Sequence, residues 1–397
     1  MIRRAIPLLL SIWLAACGRA TGGTRNVVLW HSYQGDERAA LEAVIDDFNA
    51  HSQDTHIEAV PVAYDAFADK ITNAIPNGNG PDIFIFAHDR IGDWVAAGLV
   101  EPIEYYVDEK LADHYAYDAL AAMAQGGSLY GLPLAVKSVA LFYRTDLMPE
   151  PPRTTDEMVA WSKAHPGVYA VAYPDTDLYG HAPWLHGFGG RVLTEDGKLD
   201  VATPEAARAL EFVRSMVRDH VTPKETDAAM VPTLFNEGKA AMAISGPWFI
   251  ADIDPEVPWA VTTLPVISET GRPAEPFLGA EGVLMSARAR DKDRAFEVMA
   301  TLASDASAIS RAKAARQVVP NVAAYDDPKV GNDPELAAFR AQLEHTVPMP
   351  ATQAMRMVWT PYKTALQAVI AQGADPSAAL RDAEQEIRGY LQGASGK

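Results

Sequence analysis

Cysteine is almost absent from this chain: its 397 residues include one, Cys17. A disulfide within the chain is therefore impossible, and a metal site built on cysteines is excluded. Positive charge is also scarce, with 34 Lys and Arg against 52 Asp and Glu and a formal net charge of -18. A field of that sign repels phosphate, and no basic stripe with interleaved aromatics offsets it, so nucleic acid is not an expected partner. No apolar run beyond the first residues reaches the length of a transmembrane helix. The motifs G-x-S-x-G and H-E-x-x-H and any phosphate loop are missing, which leaves no signature of those hydrolases or of nucleotide binding. No His and Tyr cluster has metal-ligand spacing, and neither a metal nor a cofactor is expected. What is present is an ordinary globular mixture, 48% hydrophobic and 22% charged. At roughly 150 residues per domain, the length suits two or three domains that each bury a core.

At the start, Arg3 and Arg4 precede an apolar stretch over residues 5–16 that is too short to span a bilayer and ends in Leu14-Ala15-Ala16-Cys17. This is the shape of an export signal. Small residues before a cysteine resemble the lipobox of bacterial lipoproteins. That resemblance implies a signal peptide over 1–16, acylation of Cys17 and a lipidated, flexible tether over 17–25. The alternative is cleavage near Ala-x-Ala without lipidation. On the first reading the chain is exported and held to the outer face of a membrane by its lipid alone.

Further along, strand and helix signals alternate. Residues 27–30 are a buried strand, and 36–49 follow with Leu41, Val44, Ile45 and Phe48 at helical spacing. A strand at 57–62, a helix at 67–74 and a turn-rich stretch at 76–81 lead to Asp82-Ile83-Phe84-Ile85-Phe86, apolar enough for a strand covered on both faces. The pattern predicts an α/β fold with a mostly parallel sheet and ligands beyond the carboxyl ends of its strands. A second α/β unit opens at 139–143, with helices at 156–164 and 204–219 and strands at 240–244 and 259–264. Proline-rich joints at 273–276 and 320–334 flank helices at 291–303 and 305–314, and three helical segments close the chain.

Four stretches carry a family resemblance. They are Gly80-Pro81-Asp82-Ile83 running into Ala87-His88-Asp89-Arg90-Ile91-Gly92; Tyr130-Gly131-Leu132-Pro133-Leu134-Ala135-Val136 followed by Tyr143-Arg144-Thr145-Asp146-Leu147; Phe235-Asn236-Glu237-Gly238-Lys239-Ala240-Ala241-Met242 leading to Gly246-Pro247-Trp248; and Met349-Pro350 with Trp359 downstream. In this order they resemble the periplasmic maltose and maltodextrin-binding proteins, among the sugar-binding lipoproteins that serve bacterial ABC importers. The resemblance implies a two-lobed periplasmic-binding-protein fold of the hinge-closing type II, with the ligand cleft between lobes. It assigns 26–136 and 282–327 to an N-terminal lobe and 137–281 and 328–397 to a C-terminal lobe. It further implies a non-enzymatic monomer that binds maltose, maltodextrin or a related α-glucoside and hands it to the membrane permease subunits of the importer.

The residues support a carbohydrate site independently. A sugar shows one apolar face and a rim of hydroxyls, so its site needs flat aromatic surfaces beside planar donors and acceptors. Trp30, Phe86, Trp184, Trp248 and Trp359 sit at strand ends, beside glycine or proline, or on a helix face, and Tyr33 and Tyr179 lie in polar loops. The resemblance places Trp248 and Trp359 at stacking positions, while Trp94, Trp161 and Trp259 read as core. Asp89 and Arg90, just past the strand ending at Phe86, can bracket adjacent hydroxyls. His88 reads as local packing. Gln34 and Glu37 follow the first strand where the family contacts its sugar, and Asp177 and Tyr179 align with second-lobe contacts. Two features depart from the pattern or extend it. Lys137 stands where the maltodextrin binders carry a glutamate, turning an acceptor into a cationic donor. Gly279-Ala280-Glu281-Gly282 resembles a hinge-side loop that contacts ligand in other sugar binders of the class, with Glu281 facing the cleft. An acidic sugar, another small solute on the same fold, or a secreted glycoside-processing enzyme are the competing readings.

Overall fold

The computed structural model describes residues 25–194 and 196–395; the expected signal peptide and Cys17 lie outside the described residues. Two sheets form the two lobes. The first is built on strands Arg25–His31, Thr55–Pro61 and Ile83–Ala87, with Arg25–His31 in the middle and parallel to both neighbours. Their burial follows from the pattern: Val27 and Leu29 alternate into the core, and Ile83, Phe84, Ile85 and Phe86 are buried on both faces. Strand Phe277–Met285 runs antiparallel beside Ile83–Ala87, and strand Gly131–Lys137 pairs with its other edge.

The second sheet has the order Trp259–Thr262, Ala140–Arg144, Ala240–Ser245, Tyr169–Ala172. The chain thus passes from the first sheet to the second between Lys137 and Ala140 and rejoins the first through Phe277–Met285. Phe277, at the start of that strand, still packs in the second lobe, with its ring 6.3 Å from Tyr179 and 6.4 Å from Trp359. Gly279–Gly282, expected as a loop, therefore lies in the middle of a strand buried along its whole length. Gly282 serves close approach rather than turning. A Cβ on Gly282 would stand 2.4 Å from the Met123 sulfur and 2.8 Å from the Leu132 carbonyl oxygen.

Helices cover both sheets and start where their caps stand. Thr154, Thr203, Asp291, Ser304 and Thr352 each accept a backbone N–H from the first turn that follows. Helix Pro204–Arg218 buries Ala206, Ala209, Leu210, Val213 and Met216, one face at a spacing of three to four. Helix Leu178–Gly187 has no such stripe, because every residue except Tyr179 is buried and Pro183 sits inside it. Helices Gln353–Gln372 and Pro376–Ser395 close the chain against Pro204–Arg218. Among the described residues, no helix is long and apolar enough to cross a membrane.

Candidate functional site

The carboxyl ends of the first sheet's parallel strands bring the first group of candidates together. Strand Gly131–Lys137 ends on the same edge as Ile83–Ala87, and the register sets Glu281 opposite Ala87 and Gly279 opposite Lys137. Glu37, in the first turn of helix Gly35–His51, reaches this edge, and Lys137 Nζ lies 2.9 Å from Glu37 Oε1 and 3.6 Å from Glu281 Oε2. Gln317 donates to the same Glu37 oxygen at 3.2 Å and accepts from the fully buried Arg311 at 3.1 Å. Burial opposes the charge on Lys137, but Glu281 and Glu37 outweigh it and raise its pKa. Burial raises the pKa of Glu281 despite Lys137. Tyr33 is buried beneath this cluster, and burial followed by Glu281 pushes its phenol up. Gln34 is exposed just before the helix and makes no capping bond.

A second cluster follows strand Ile83–Ala87. Asp89 Oδ2 is 3.8 Å from Arg90 Nε, and burial raises the Asp89 pKa against the pull of His88 and Arg90. Asp89 Oδ1 is buried and has no hydrogen-bond partner. His88 holds the crossing segments, with Nδ1 at 3.1 Å from the Ala280 backbone and Nε2 at 2.8 Å from the Met349 carbonyl oxygen. Next to it Asp93 pairs with Arg356, which ties the start of helix Gln353–Gln372 to the first lobe. Trp359 lies partly buried one turn further along that helix.

In the second lobe, Asp177 caps helix Leu178–Gly187 by accepting the Tyr179 N–H at 2.7 Å. Tyr179 is therefore a helical residue rather than part of a loop, and its ring centre is 6.4 Å from that of Trp248. Trp248 follows strand Ala240–Ser245 on the short helix Pro247–Asp252 and is 48% exposed. Its indole folds back over Gly246, where a Cβ would stand 2.1 Å from the ring. Asp177, Tyr179, Trp248, Asp227, Ser245 and Lys363 help to line a cavity of about 470 Å³. Ligand pockets span about 300–1,000 Å³, and a flat exposed aromatic among carboxylate, hydroxyl and ammonium groups suits a polar ring with an apolar face.

Three aromatic candidates fall outside this surface. Trp184 is wholly buried between Tyr173 and Phe212, at ring distances of 6.1 and 5.4 Å, and belongs to the core. Trp30 is 7% exposed and covered by Lys70, whose Nζ lies 4.8 Å from the ring centre. Phe86 is 4% exposed because Tyr64 stacks on it. Sequence reasoning passed over Tyr64, Gln317, Arg311 and Lys363. Tyr64 did carry a signal, since it opens a helix directly after the carboxyl end of a strand. Arg311 carried none, because a charged residue in a helix otherwise reads as a solvated face. Among the described residues, no group of three His, Cys, Asp or Glu side chains is placed to hold a metal.

Comparison with known proteins agrees with this architecture. The family described as bacterial extracellular solute-binding protein matches residues 43–338. A maltotriose-binding protein of Pyrococcus abyssi (strain GE5 / Orsay) is 29% identical over 386 residues, 94% of this chain and 83% of that one. A galactooligosaccharide-binding protein of Bacillus subtilis (strain 168) is 26% identical over 404 residues, 96% of this chain and 94% of that one. Among solved structures, a cyclo/maltodextrin-binding protein complexed with maltotetraose superposes with a TM-score of 0.86 at 31% identity, covering 94% of this chain and 99% of that chain.

Proposed function

The chain belongs to the bacterial extracellular solute-binding protein family, and from that premise we propose that it is the sugar-binding component of an ABC importer for maltodextrin-type α-glucosides. The observation that carries the reading is the second-lobe cavity in which half-exposed Trp248 stands beside Tyr179 and Asp177, in a fold that superposes closely on a maltotetraose complex. Across the cleft Asp89, Arg90, Lys137 and Glu281 supply the donors and acceptors that a rim of hydroxyls requires. Binding to one lobe and closure of the other over the sugar favours the closed state by the contacts made only there, and that closed surface is what the permease subunits read.

Charge decides between neutral and acidic sugars. The cation at Lys137 is matched by two carboxylates, Glu37 and Glu281, and Arg90 faces Asp89. No excess positive charge is left in these clusters to attract a carboxylate ligand, so a neutral sugar is favoured. The similarity to the Bacillus subtilis protein supports a second reading, a galactooligosaccharide in the same cleft. Acylation at Cys17, export, a monomeric state and the lack of enzymatic activity complete the proposal.

A thermal-shift screen tests it, because a ligand that binds only the folded state adds stability, about 2.7 kcal/mol at one hundred times Kd, and so raises the midpoint. Maltose, maltotriose and maltotetraose are expected to raise it, with galactooligosaccharides, sucrose, glucuronides and polyols as the comparison set. A shift confined to glucuronides or polyols would overturn the α-glucoside reading. New reducing ends on incubation with maltodextrin would overturn the non-enzymatic one.

A further inference from the structure

Tyr64 opens helix Tyr64–Ala74 and follows strand Thr55–Pro61, so it stands at the carboxyl edge where the candidate cleft opens. It is 56% exposed, the only member of its aromatic cluster to present a face to solvent among the described residues. The ring lies flat on Phe86, with centres 5.3 Å apart and planes 16° from parallel. Phe86 in turn lies on Phe67 at 4.9 Å and 24°, and Trp94 closes its edge at 5.4 Å. The two inner rings are buried and hold the outer one at a fixed tilt. A ring held from behind loses little freedom when a ligand stacks on its open face.

Charged side chains of the same edge surround the ring. The Tyr64 hydroxyl is pushed up by burial, then by Asp89 and Glu281, while Arg90 and Lys137 act in the opposite sense. These four side chains are among the polar candidates gathered at the edge of the first sheet, and the unpartnered Asp89 Oδ1 is one of their acceptors.

We propose that Tyr64, and not the buried Phe86 beneath it, is the stacking platform of the first lobe, taking the apolar face of a pyranose ring whose hydroxyls reach Asp89 and Arg90. This deepens the carbohydrate reading above and rests on it. Tyr64 then serves the sugar from the first lobe as Trp248 serves it from the second.

Calorimetric titration of maltotriose into the wild type, Tyr64→Phe, Tyr64→Leu and Tyr64→Ala decides it. The Ala and Leu variants are expected to bind maltotriose about 5- to 30-fold more weakly, and the Phe variant within about threefold of wild type. Leu keeps Phe86 covered but offers no flat π face, so a loss in Leu separates stacking from a merely structural role. Wild-type affinity for maltotriose in the Ala and Leu variants overturns the platform, as does an equal loss in the Phe variant. If the wild type binds only a different sugar, the substrate reading fails, and the same variants titrated with that sugar still decide the role of Tyr64.

Discussion

Replacing Lys137 with methionine keeps the stem and removes the cation between Glu37 and Glu281. Removing one partner of a buried ion pair costs about 3–5 kcal/mol, because the other charge is left stranded. Here the Lys137 and Glu37 side chains keep 31% and 34% of their exposure. Solvent screening brings the cost down to about 1–2 kcal/mol. At roughly 2.1 cal/mol/K per residue the described chain unfolds with an entropy of about 0.8 kcal/mol/K, so the midpoint falls by about 1–3 °C. The sign of the pH dependence is fixed as well. Burial already raises the Glu281 pKa, and losing Lys137 raises it further. A carboxyl that holds its proton more tightly when folded contributes stability at low pH and loses it as pH rises through the folded pKa. The variant's deficit should be small at pH 4 and full at pH 8. Scanning calorimetry of both proteins at the two pH values, with maltotriose and a glucuronide titrated into each, reads this directly. An unchanged midpoint at pH 8, together with loss of glucuronide binding alone, would refute the argument and make Lys137 a ligand cation.

Two more perturbations follow from the same geometry. Gly246→Ala forces the Trp248 indole off the backbone it covers, and calorimetric titration should show maltotriose affinity falling by about 1 kcal/mol, roughly fivefold, with an unchanged ligand-free midpoint. Burial depresses the pKa values of both His181 and His186 to about 3, and neither His181 nitrogen has a hydrogen-bond partner. A depressed folded pKa gives stability that is full above about 6.5 and lost as pH falls toward 3, so His181→Phe should gain up to about 2 kcal/mol over wild type at pH 5 and little at pH 8, read from denaturant midpoints.

Much of the architecture was legible in the residues. The strand expected to end at Phe86 ends at Ala87, and the helix expected over 204–219 spans Pro204–Arg218, because period and capping agree locally at both places. Strand Phe277–Met285 was hidden by its glycines, which suggest a turn, whereas Gly282 answers to Met123 and Leu132, partners distant in sequence. Helix Leu178–Gly187 was hidden by Pro183 and by burial on every side but one, which erases the amphipathic period. The polar half of the candidate site was readable at Asp89, Lys137 and Glu281, since each lies close to a recognisable strand end or motif. Of the aromatic candidates, Tyr179 and Trp248 line the cavity, whereas Trp30, Phe86 and Trp184 are covered, because exposure decides which ring of a stack meets a ligand. Tyr64 covers Phe86, Lys70 covers Trp30, and a whole helix layer covers Trp184.

Sugar binding at Trp248 is the central element of the proposed function. Calorimetric titration of maltotriose into the wild type and Trp248→Ala tests this directly. One maltotriose per chain, bound about tenfold more weakly in the variant at an unchanged ligand-free midpoint, is the predicted result. Heat from no α-glucoside in the wild type, or equal affinity in the two proteins, would contradict it.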